Sequence, residues 1–244
     1  MDRSLDEVIQ MKATQREAAI VQGYLFAKLE VLRSQYSSEL ICAKPSPDEI
    51  SESRFLRELA WVILSAGMAD RVIRSKFPGI STAFLDWDSA RAISFNAEKC
   101  IANALEHFRH QGKVRAIASA AEKLSSVSSF DVIRLQILRD PIQQLQSFAY
   151  IGPITAFHIA KNMGFPVAKP DRHLERLARS SGFESVKEFC GTIASYLGED
   201  IRLVDSVLWR FATMHNDYIV RFSHLWQETS GCSNNPVRLP TASH

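Results

Sequence analysis

The stretch that decides the fold is Leu145–Arg179, LQSFAYIGPITAFHIAKNMGFPVAKPDRHLERLAR. It predicts two helices joined by a tight turn, then a proline-containing connector, then a third helix. Residues 151–153, Ile-Gly-Pro, form the turn, because glycine gives the backbone freedom and proline suits the first position of a helix. Asp171 follows Pro170 and opens the third helix. Turn amides beside a carboxylate are suited to hold a phosphate chain close to an acid.

Asp171 has two interpretations. An aspartate before an apolar helical run is a common N-cap, whose carboxylate accepts hydrogen bonds from the first-turn amides. Such a carboxylate also feels the positive end of the helix dipole, which favours its ionised form. An ionised carboxylate beside a sugar can stabilise the positive charge that develops when the sugar loses its base. The two roles are compatible, and both stay open.

Composition places the chain among ordinary globular proteins. It has 244 residues, of which 46% are apolar and 23% charged, and its formal net charge is +2. This charge permits a nucleic-acid partner but does not require one. The longest apolar run, Leu59–Ala69, is too short to span a bilayer, and the N-terminus has no hydrophobic signal segment. We therefore expect a cytoplasmic protein without membrane association.

The cysteines give no sign of a metal site. Four are scattered along the chain without a CxxC pair: Cys42, Cys100, Cys190 and Cys232. This pattern predicts reduced thiols rather than disulfides or a metal cluster.

Helical spacing dominates the chain, and alternating strand patterns are lacking, which predicts an all-α protein. Residues 53–66 are apolar almost all round, as expected of a helix in the middle of a core. The segment 226–244 has little to bury and is predicted to be a mobile tail. Four large residues share one face of a helix predicted within residues 5–39: Leu25, Leu29, Leu32 and Tyr36.

The hairpin and the aspartate resemble the helix-hairpin-helix, Gly/Pro-rich loop, Asp (HhH-GPD) superfamily of DNA glycosylases, typified by endonuclease III and the alkyladenine and 8-oxoguanine glycosylases. Glu58–Asp70 is similar to the buried family helix and the loop at its end. Gly112–Ile117 resembles the start of the helix that precedes the hairpin, and Val204–Trp209 resembles the closing helix of the second lobe. The resemblance runs from about Arg54 to Tyr218.

The resemblance implies a two-lobed helical fold. Residues 1–50 would form N-terminal helices that pack on the C-terminal lobe, and residues 51–225 would form the glycosylase core. Within the core, the hairpin spans about 145–162 and the catalytic loop 164–173. Residues 226–244 would be the tail.

The resemblance also implies site residues and partners. Asp171 would be the essential carboxylate, and duplex DNA would be bound by a monomer, with the damaged or modified base turned out into a cleft between the lobes. Tyr150 and Trp61 are candidates to stack on the turned-out base in its pocket, because stacking suits any base, although aromatic residues at helical spacing usually belong to the core. A monovalent cation at the hairpin is the only cofactor implied, and no metal ligand is assigned. The implied DNA contacts are Gly152, Pro153, Ile154, Thr155, Lys113, Lys169, Arg172 and His173.

The chain departs from the family pattern at several positions. Ile154 stands where bifunctional members carry a lysine; because isoleucine cannot form a Schiff base, we expect water to be the nucleophile. Lys169 is the only nearby substitute, and a phosphate contact or a purely solvated position suits it better than a covalent role. Tyr150 replaces the first hairpin glycine. Gly67 stands where a glutamine often enters the DNA stack, so Met68 or another residue would have to fill the gap left by the turned-out base. The four-cysteine cluster of endonuclease III is missing, so no iron–sulfur centre is expected.

The sequence therefore predicts a monofunctional DNA N-glycosylase, which releases a damaged or modified base and leaves an abasic site. Base excision repair and defence against modified foreign DNA use this same chemistry. The alternative is a non-catalytic helix-hairpin-helix DNA-binding protein. A third possibility is a helical scaffold whose hairpin binds a protein partner.

Overall fold

The protein is built from α-helices. The structure, a computed structural model, describes residues 5–41 and 46–229, and the side chains of 14–40 and 46–223. These residues form fourteen α-helices and two 3₁₀ turns but no β-strand, which confirms the all-α prediction. The helices are α1 (Leu5–Leu32), α2 (Ser38–Ile41), α3 (Glu52–Ser65), α4 (Asp70–Ala83), α5 (Ala90–Phe95), α6 (Ala97–His107), α7 (Gln111–Ser125), α8 (Phe130–Arg139), α9 (Pro141–Leu145), α10 (Pro153–Met163), α11 (Arg172–Ser180), α12 (Val186–Leu197), α13 (Ile201–Met214) and α14 (Tyr218–Thr229). The 3₁₀ turns are Pro47–Glu49 and Leu85–Trp87.

The described residues divide into two compact units. The continuous unit comprises residues 46–171 and contains α3 to α10. The split unit comprises residues 5–41 together with 172–229 and contains α1, α2 and α11 to α14. The backbone passes from the first to the second between Asp171 and Arg172.

Helix α3 lies at the centre of the continuous unit, where it packs against α4, α7 and α10. The prediction of a central helix is confirmed, because every large apolar side chain of α3 except that of Trp61 is at most 1% exposed. Burial of each such side chain stabilises the fold by about 1.5–3 kcal/mol. The buried residues that the sequence indicates are Phe55, Leu56, Leu59, Val62 and Ile63.

Two carboxylates of α3 tie neighbouring helices to it. The Glu52 carboxylate accepts a hydrogen bond of 2.6 Å from the Ala90 amide, at the start of α5. The Glu58 carboxylate accepts one of 3.1 Å from the side-chain amide of Asn162, near the end of α10. The second bond fixes the position of α10, the helix that follows the predicted turn.

In the split unit, α1 packs along α12, α13 and α14. The Glu199 carboxylate, which follows α12, accepts hydrogen bonds of 2.5 Å from both the Tyr24 hydroxyl and the Lys28 ammonium. Burial, and then the bond to Glu199, raise the pKa of Tyr24. Tyr24 therefore stays a neutral donor that holds α1 against the end of α12.

The face of α1 that the leucine spacing indicates is not the face that the split unit buries. Leu25, Leu29 and Leu32 are 41%, 50% and 42% exposed. A β-carbon at Gly23 would lie 3.0 Å from the carbonyl oxygen of Phe222 in α14. The small residues of α1 let α14 come close, and the face that carries them is therefore the one that is buried. This face includes Ala27.

The segment predicted to be a tail is only partly described. Residues 230–244 lie outside the described residues, whereas 226–229 form the end of α14. Residues 1–4 and 42–45, which belong to the predicted N-terminal region, are also outside them. Within the described part of the chain, none of the helices is both long and apolar enough to cross a bilayer.

Candidate active site at the hairpin and Asp171

Helices α9 and α10 form a hairpin around the predicted turn. Helix α9 begins at Pro141 and is capped by the Asp140 carboxylate, which accepts a hydrogen bond of 3.2 Å from the Gln143 amide. Helix α10 begins at Pro153 and ends at Met163, and the next residue, Gly164, has a φ of 104°, the left-handed conformation that terminates helices. Both helix ends thus follow from proline and glycine positions in the sequence.

Tyr150 is the residue of the turn with unusual backbone geometry. Its φ of 65° lies in the left-handed region, which a residue with a β-carbon rarely adopts. Gly152, by contrast, has φ −88° and ψ −179°, an extended conformation open to any residue. The expectation that the turn uses the freedom of Gly152 is wrong. Tyr150 instead takes the left-handed conformation, which glycine adopts more readily than residues with a β-carbon.

Both ends of helix α7 contact the segment that joins α9 to α10. The Tyr150 hydroxyl lies against Gly112, where a β-carbon would overlap it. The Tyr150 ring also meets His110 edge to face, with ring centroids 6.1 Å apart. At the other end of α7, the Lys123 ammonium donates a hydrogen bond of 3.0 Å to the Ser147 carbonyl. The contacts of Tyr150 hold its side chain in place, and the residue remains 47% exposed.

The amides at the start of α10 are not equally available to an anion. The Gly152 amide donates to the Thr155 hydroxyl at 2.7 Å, and that hydroxyl donates to the Gly152 carbonyl at 3.0 Å. Pro153 has no N–H, and the intrahelical bonds begin with Ala156 N to Gly152 O. The first-turn amides of Ile154 and Thr155 therefore remain as the anion donors. The Gly152 amide and the Thr155 hydroxyl bind each other and are therefore not available to an anion.

The implied cation fits this turn only in part. The Gly152 carbonyl already accepts two hydrogen bonds, from the Ala156 amide and the Thr155 hydroxyl. A carbonyl oxygen has two lone pairs, so this one has no capacity left for a cation. Other carbonyls of the turn would have to bind it, and the cation stays a prediction.

The loop that leads to Asp171 runs beside α10. The Asp171 amide donates a hydrogen bond of 2.8 Å to the Lys169 carbonyl, and both side chains are half-buried. Burial lowers the pKa of His158 in α10 well below its usual value, and the charges of Lys169 and Lys161 lower it further. Lys169 is therefore close to a neutral His158. Asp171 itself immediately precedes α11, the position of an N-cap.

Arg172 and His173 lie in the first turn of α11, in the split unit. The Arg172 guanidinium is exposed and donates a hydrogen bond of 3.3 Å to His173 Nε2. The His173 ring packs edge to face on Tyr218 of α14, with centroids 5.5 Å apart. His173 is therefore held by packing, whereas the side chain of Arg172 remains exposed.

Lys113 does not lie at the surface as the predicted DNA contact requires. It is 5% exposed, and its ammonium donates hydrogen bonds of 2.9 Å to the Leu64 carbonyl and 2.5 Å to the Ala66 carbonyl. The reason is that the last carbonyls of α3 have no intrahelical donors and recruit this ammonium. Lys113 is therefore withdrawn as a phosphate contact.

Trp61, the other residue predicted for a base pocket, lies against the core of the continuous unit, and its pocket role stays a prediction. It is half-buried and meets Phe77 edge to face, with centroids 5.0 Å apart. The Arg74 guanidinium lies 5.7 Å from the centroid of its ring. Trp61 thus packs against the hydrophobic core. Among the described residues, no contact joins Trp61 to Tyr150.

Sequence reasoning missed three residues that shape the site: Gly112, Lys123 and His158. A glycine in the first turn of a helix is a weak sign of close approach, and it could have drawn attention to Gly112. Lys123 gives no local sign, because its partner Ser147 lies 24 positions later, and the burial of His158 depends on how α10 packs.

Comparison with known proteins adds no relative: no family model, curated protein or solved structure matches the chain. The side chains of residues 14–40 and 46–223 contain no cluster of three potential metal ligands. Function is therefore inferred from the residues and their geometry.

Proposed function

We propose that this protein is a monofunctional DNA N-glycosylase of the HhH-GPD type. The observation that supports this most is the hairpin turn, in which Tyr150 takes the left-handed conformation, which glycine adopts more readily. Asp171 follows this turn at the family spacing, directly before α11.

The hairpin would anchor the DNA backbone. The amides of Ile154 and Thr155 lie at the positive end of the α10 dipole, where a phosphate is stabilised without reading the base sequence. Arg172, whose side chain is exposed, would add a second phosphate contact.

Asp171 would act on the sugar. When the bond between C1′ and the base breaks, the base leaves with the electron pair and takes up a proton, and positive charge develops on the sugar. The Asp171 carboxylate stabilises this charge. Water then adds to C1′ and loses a proton, which leaves an abasic site. Ile154, at the position of the lyase lysine, provides no amine for strand cleavage.

The test is base release from duplexes that contain alkylated, oxidised, deaminated or bulky modified bases, detected as strand breaks after alkali. Asp171→Asn should slow release on the accepted duplex by about 100-fold or more, the usual effect of removing transition-state charge stabilisation. Asp140→Asn is the matched control, because asparagine caps α9 as well as aspartate does. Full base release by Asp171→Asn would show that the assigned role is wrong.

The second candidate is a DNA-binding protein that keeps the hairpin without chemistry. The half-exposed Ile154 at the lysine position favours it. It predicts salt-dependent DNA binding that Asp171→Asn leaves unchanged, and no abasic product from any duplex. A lack of DNA binding at low salt would instead favour a protein partner for the hairpin.

A further inference from the structure

Helix α12 contains a glycine that packing within the chain does not explain. Glycine is one of the least favourable residues in the interior of a helix, because it loses the most conformational freedom there. At three other glycines within helices, a β-carbon would lie 3.0 Å or less from another part of the chain: Gly23, Gly79 and Gly112. A β-carbon at Gly191, in the middle of α12, would meet no atom outside its own helix within 4 Å. The space beside Gly191 is therefore open.

This open space belongs to a groove of about 660 Å³ between α1 and α12, both of which are part of the split unit. The residues of α12 along it run from Ser185 to Tyr196, which is about 16 Å of helix axis. About five residues of extended chain have this length, so the groove is large enough for a short peptide. We call it the α1–α12 groove, and its lining includes Glu17, Ser185, Lys187, Glu188, Gly191 and Tyr196.

The charged groups of the α1–α12 groove have no partners within the described part of the chain. Neither a hydrogen bond nor an ion pair engages the carboxylates of Glu17 and Glu188 or the ammonium of Lys187 there. By contrast, the Glu199 carboxylate, just beyond the end of α12, binds two side chains of α1. The groove thus offers two carboxylates against one ammonium. This charge disfavours a phosphate and favours a cationic ligand.

Tyr196 adds an exposed aromatic ring to these carboxylates. It is 58% exposed, and among the described residues no ring or cation stacks on it. A guanidinium can stack on a tyrosine ring and also donate paired hydrogen bonds to a carboxylate, whereas an ammonium lacks the planar face for stacking. An uncovered ring beside unpaired carboxylates is therefore suited to arginine.

We propose that the α1–α12 groove binds an arginine-containing peptide segment of a partner protein. The guanidinium lies on the Tyr196 ring and pairs with Glu17 or Glu188, while the peptide main chain approaches α12 at Gly191. This inference goes beyond the proposed function and does not rest on it, because the groove belongs to the split unit and the hairpin to the continuous unit.

The first measurement is fluorescence anisotropy with the full-length protein and a labelled pentapeptide of alternating arginine and glycine. The same peptide with citrulline in place of arginine keeps the shape but loses the charge. The protein should bind the arginine peptide at least about tenfold more tightly than the citrulline peptide. Equal binding of the two peptides, or no binding of the arginine peptide, would overturn the proposal.

Substitutions of the charged and aromatic groups separate recognition from net charge. Glu17→Gln should weaken binding of the arginine peptide about fivefold or more, because a charge-assisted hydrogen bond is lost. Tyr196→Ala should weaken it by a similar factor through loss of the stacked ring. Glu106→Gln is the matched control, because it removes the same charge from an exposed residue of α6 in the continuous unit. Equal weakening by Glu17→Gln and Glu106→Gln would contradict the proposal.

Gly191→Leu tests the groove itself. Leucine favours a helix more than glycine does, and its β-carbon meets no group outside α12, so the melting temperature should rise by about 1–4 °C or stay the same. Binding of the arginine peptide should fall about tenfold or more, because leucine fills the space that the peptide main chain needs. Unaltered binding would overturn the proposal. A lower melting temperature would do the same, since it would show that the fold itself requires the glycine.

Sedimentation velocity without peptide tests a second copy of the chain as the occupant. The protein should sediment as a monomer, and a dimer that Gly191→Leu dissociates would assign the groove to the second copy and overturn the proposal. Base release is measured separately, on modified duplexes without peptide, so failure of the proposed function is distinguishable from failure of this one.

Discussion

The hydroxyl of Tyr150 lies directly against Gly112, in the space that a β-carbon would occupy. This contact joins the hairpin turn to the first turn of α7. While the Tyr150 side chain stays in place, residue 112 has room for glycine but not for a residue with a β-carbon.

Gly112→Ala should therefore destabilise the protein in a way that depends on Tyr150. Overpacking against the phenol should lower the free energy of unfolding by about 1–3 kcal/mol. In a Tyr150→Gly background the same change should be close to neutral, because the obstacle is gone. Urea denaturation of the four proteins gives the coupling energy. Equal effects in both backgrounds would show that the contact is absent.

The left-handed backbone of Tyr150 can be tested with a pair of small residues. Tyr150→Gly and Tyr150→Ala both remove the ring, but only alanine keeps a β-carbon at φ 65°. The glycine variant should be more stable by about 1 kcal/mol. At Leu135, which is exposed in the middle of α8, the order should reverse by about 0.5–1 kcal/mol. The same order at both positions would contradict the assigned φ.

His158 should make stability depend on pH. Because its pKa is lowered in the folded protein, the unfolded chain takes up a proton below pH 6.5 that the folded protein does not. The free energy of unfolding should then fall on acidification below that pH by up to about 1.4 kcal/mol per pH unit. His158→Gln should flatten this part of the stability curve. Parallel curves for wild type and variant would rule out His158 as the source.

Ser65 should be replaceable without loss. Its hydroxyl is buried at the end of α3, and no described group binds it. Ser65→Ala removes this unsatisfied group, so we expect an unchanged or slightly higher melting temperature. Ser89→Ala should lower the free energy of unfolding by about 1 kcal/mol, because the Ser89 hydroxyl accepts a hydrogen bond from the Ala92 amide at the start of α5. A similar loss at both serines would show that Ser65 has a partner.

Helices with a strong local pattern were predictable from sequence. Because α3 is apolar on almost every side, its own sequence predicted a position in the middle of the core without knowledge of its neighbours. The face of α1 was not predictable in this way, because Leu25 and Leu29 show which residues are apolar but not which side approaches another helix. The close approach of Gly23 to Phe222, which lies 199 positions later in the sequence, determines which face of α1 is buried.

The site was predictable where its chemistry is local. Proline and glycine placed the ends of α10, and the aspartate falls directly before α11 as its sequence position indicates. Lys113 was misjudged because lysine is almost always exposed and its carbonyl partners lie 49 and 47 positions earlier. The φ of Tyr150 was unpredictable for a related reason, since contacts with α7 impose a conformation that tyrosine disfavours.

The split unit has a consequence for biosynthesis. Helix α1 leaves the ribosome well before α12, α13 and α14, the helices that cover it. The continuous unit is translated after α1 and before α12 to α14. It can therefore fold while the apolar surface of α1 is still uncovered. Maturation of the nascent chain should therefore end with capture of its earliest helix, and holdase chaperones should engage that helix first.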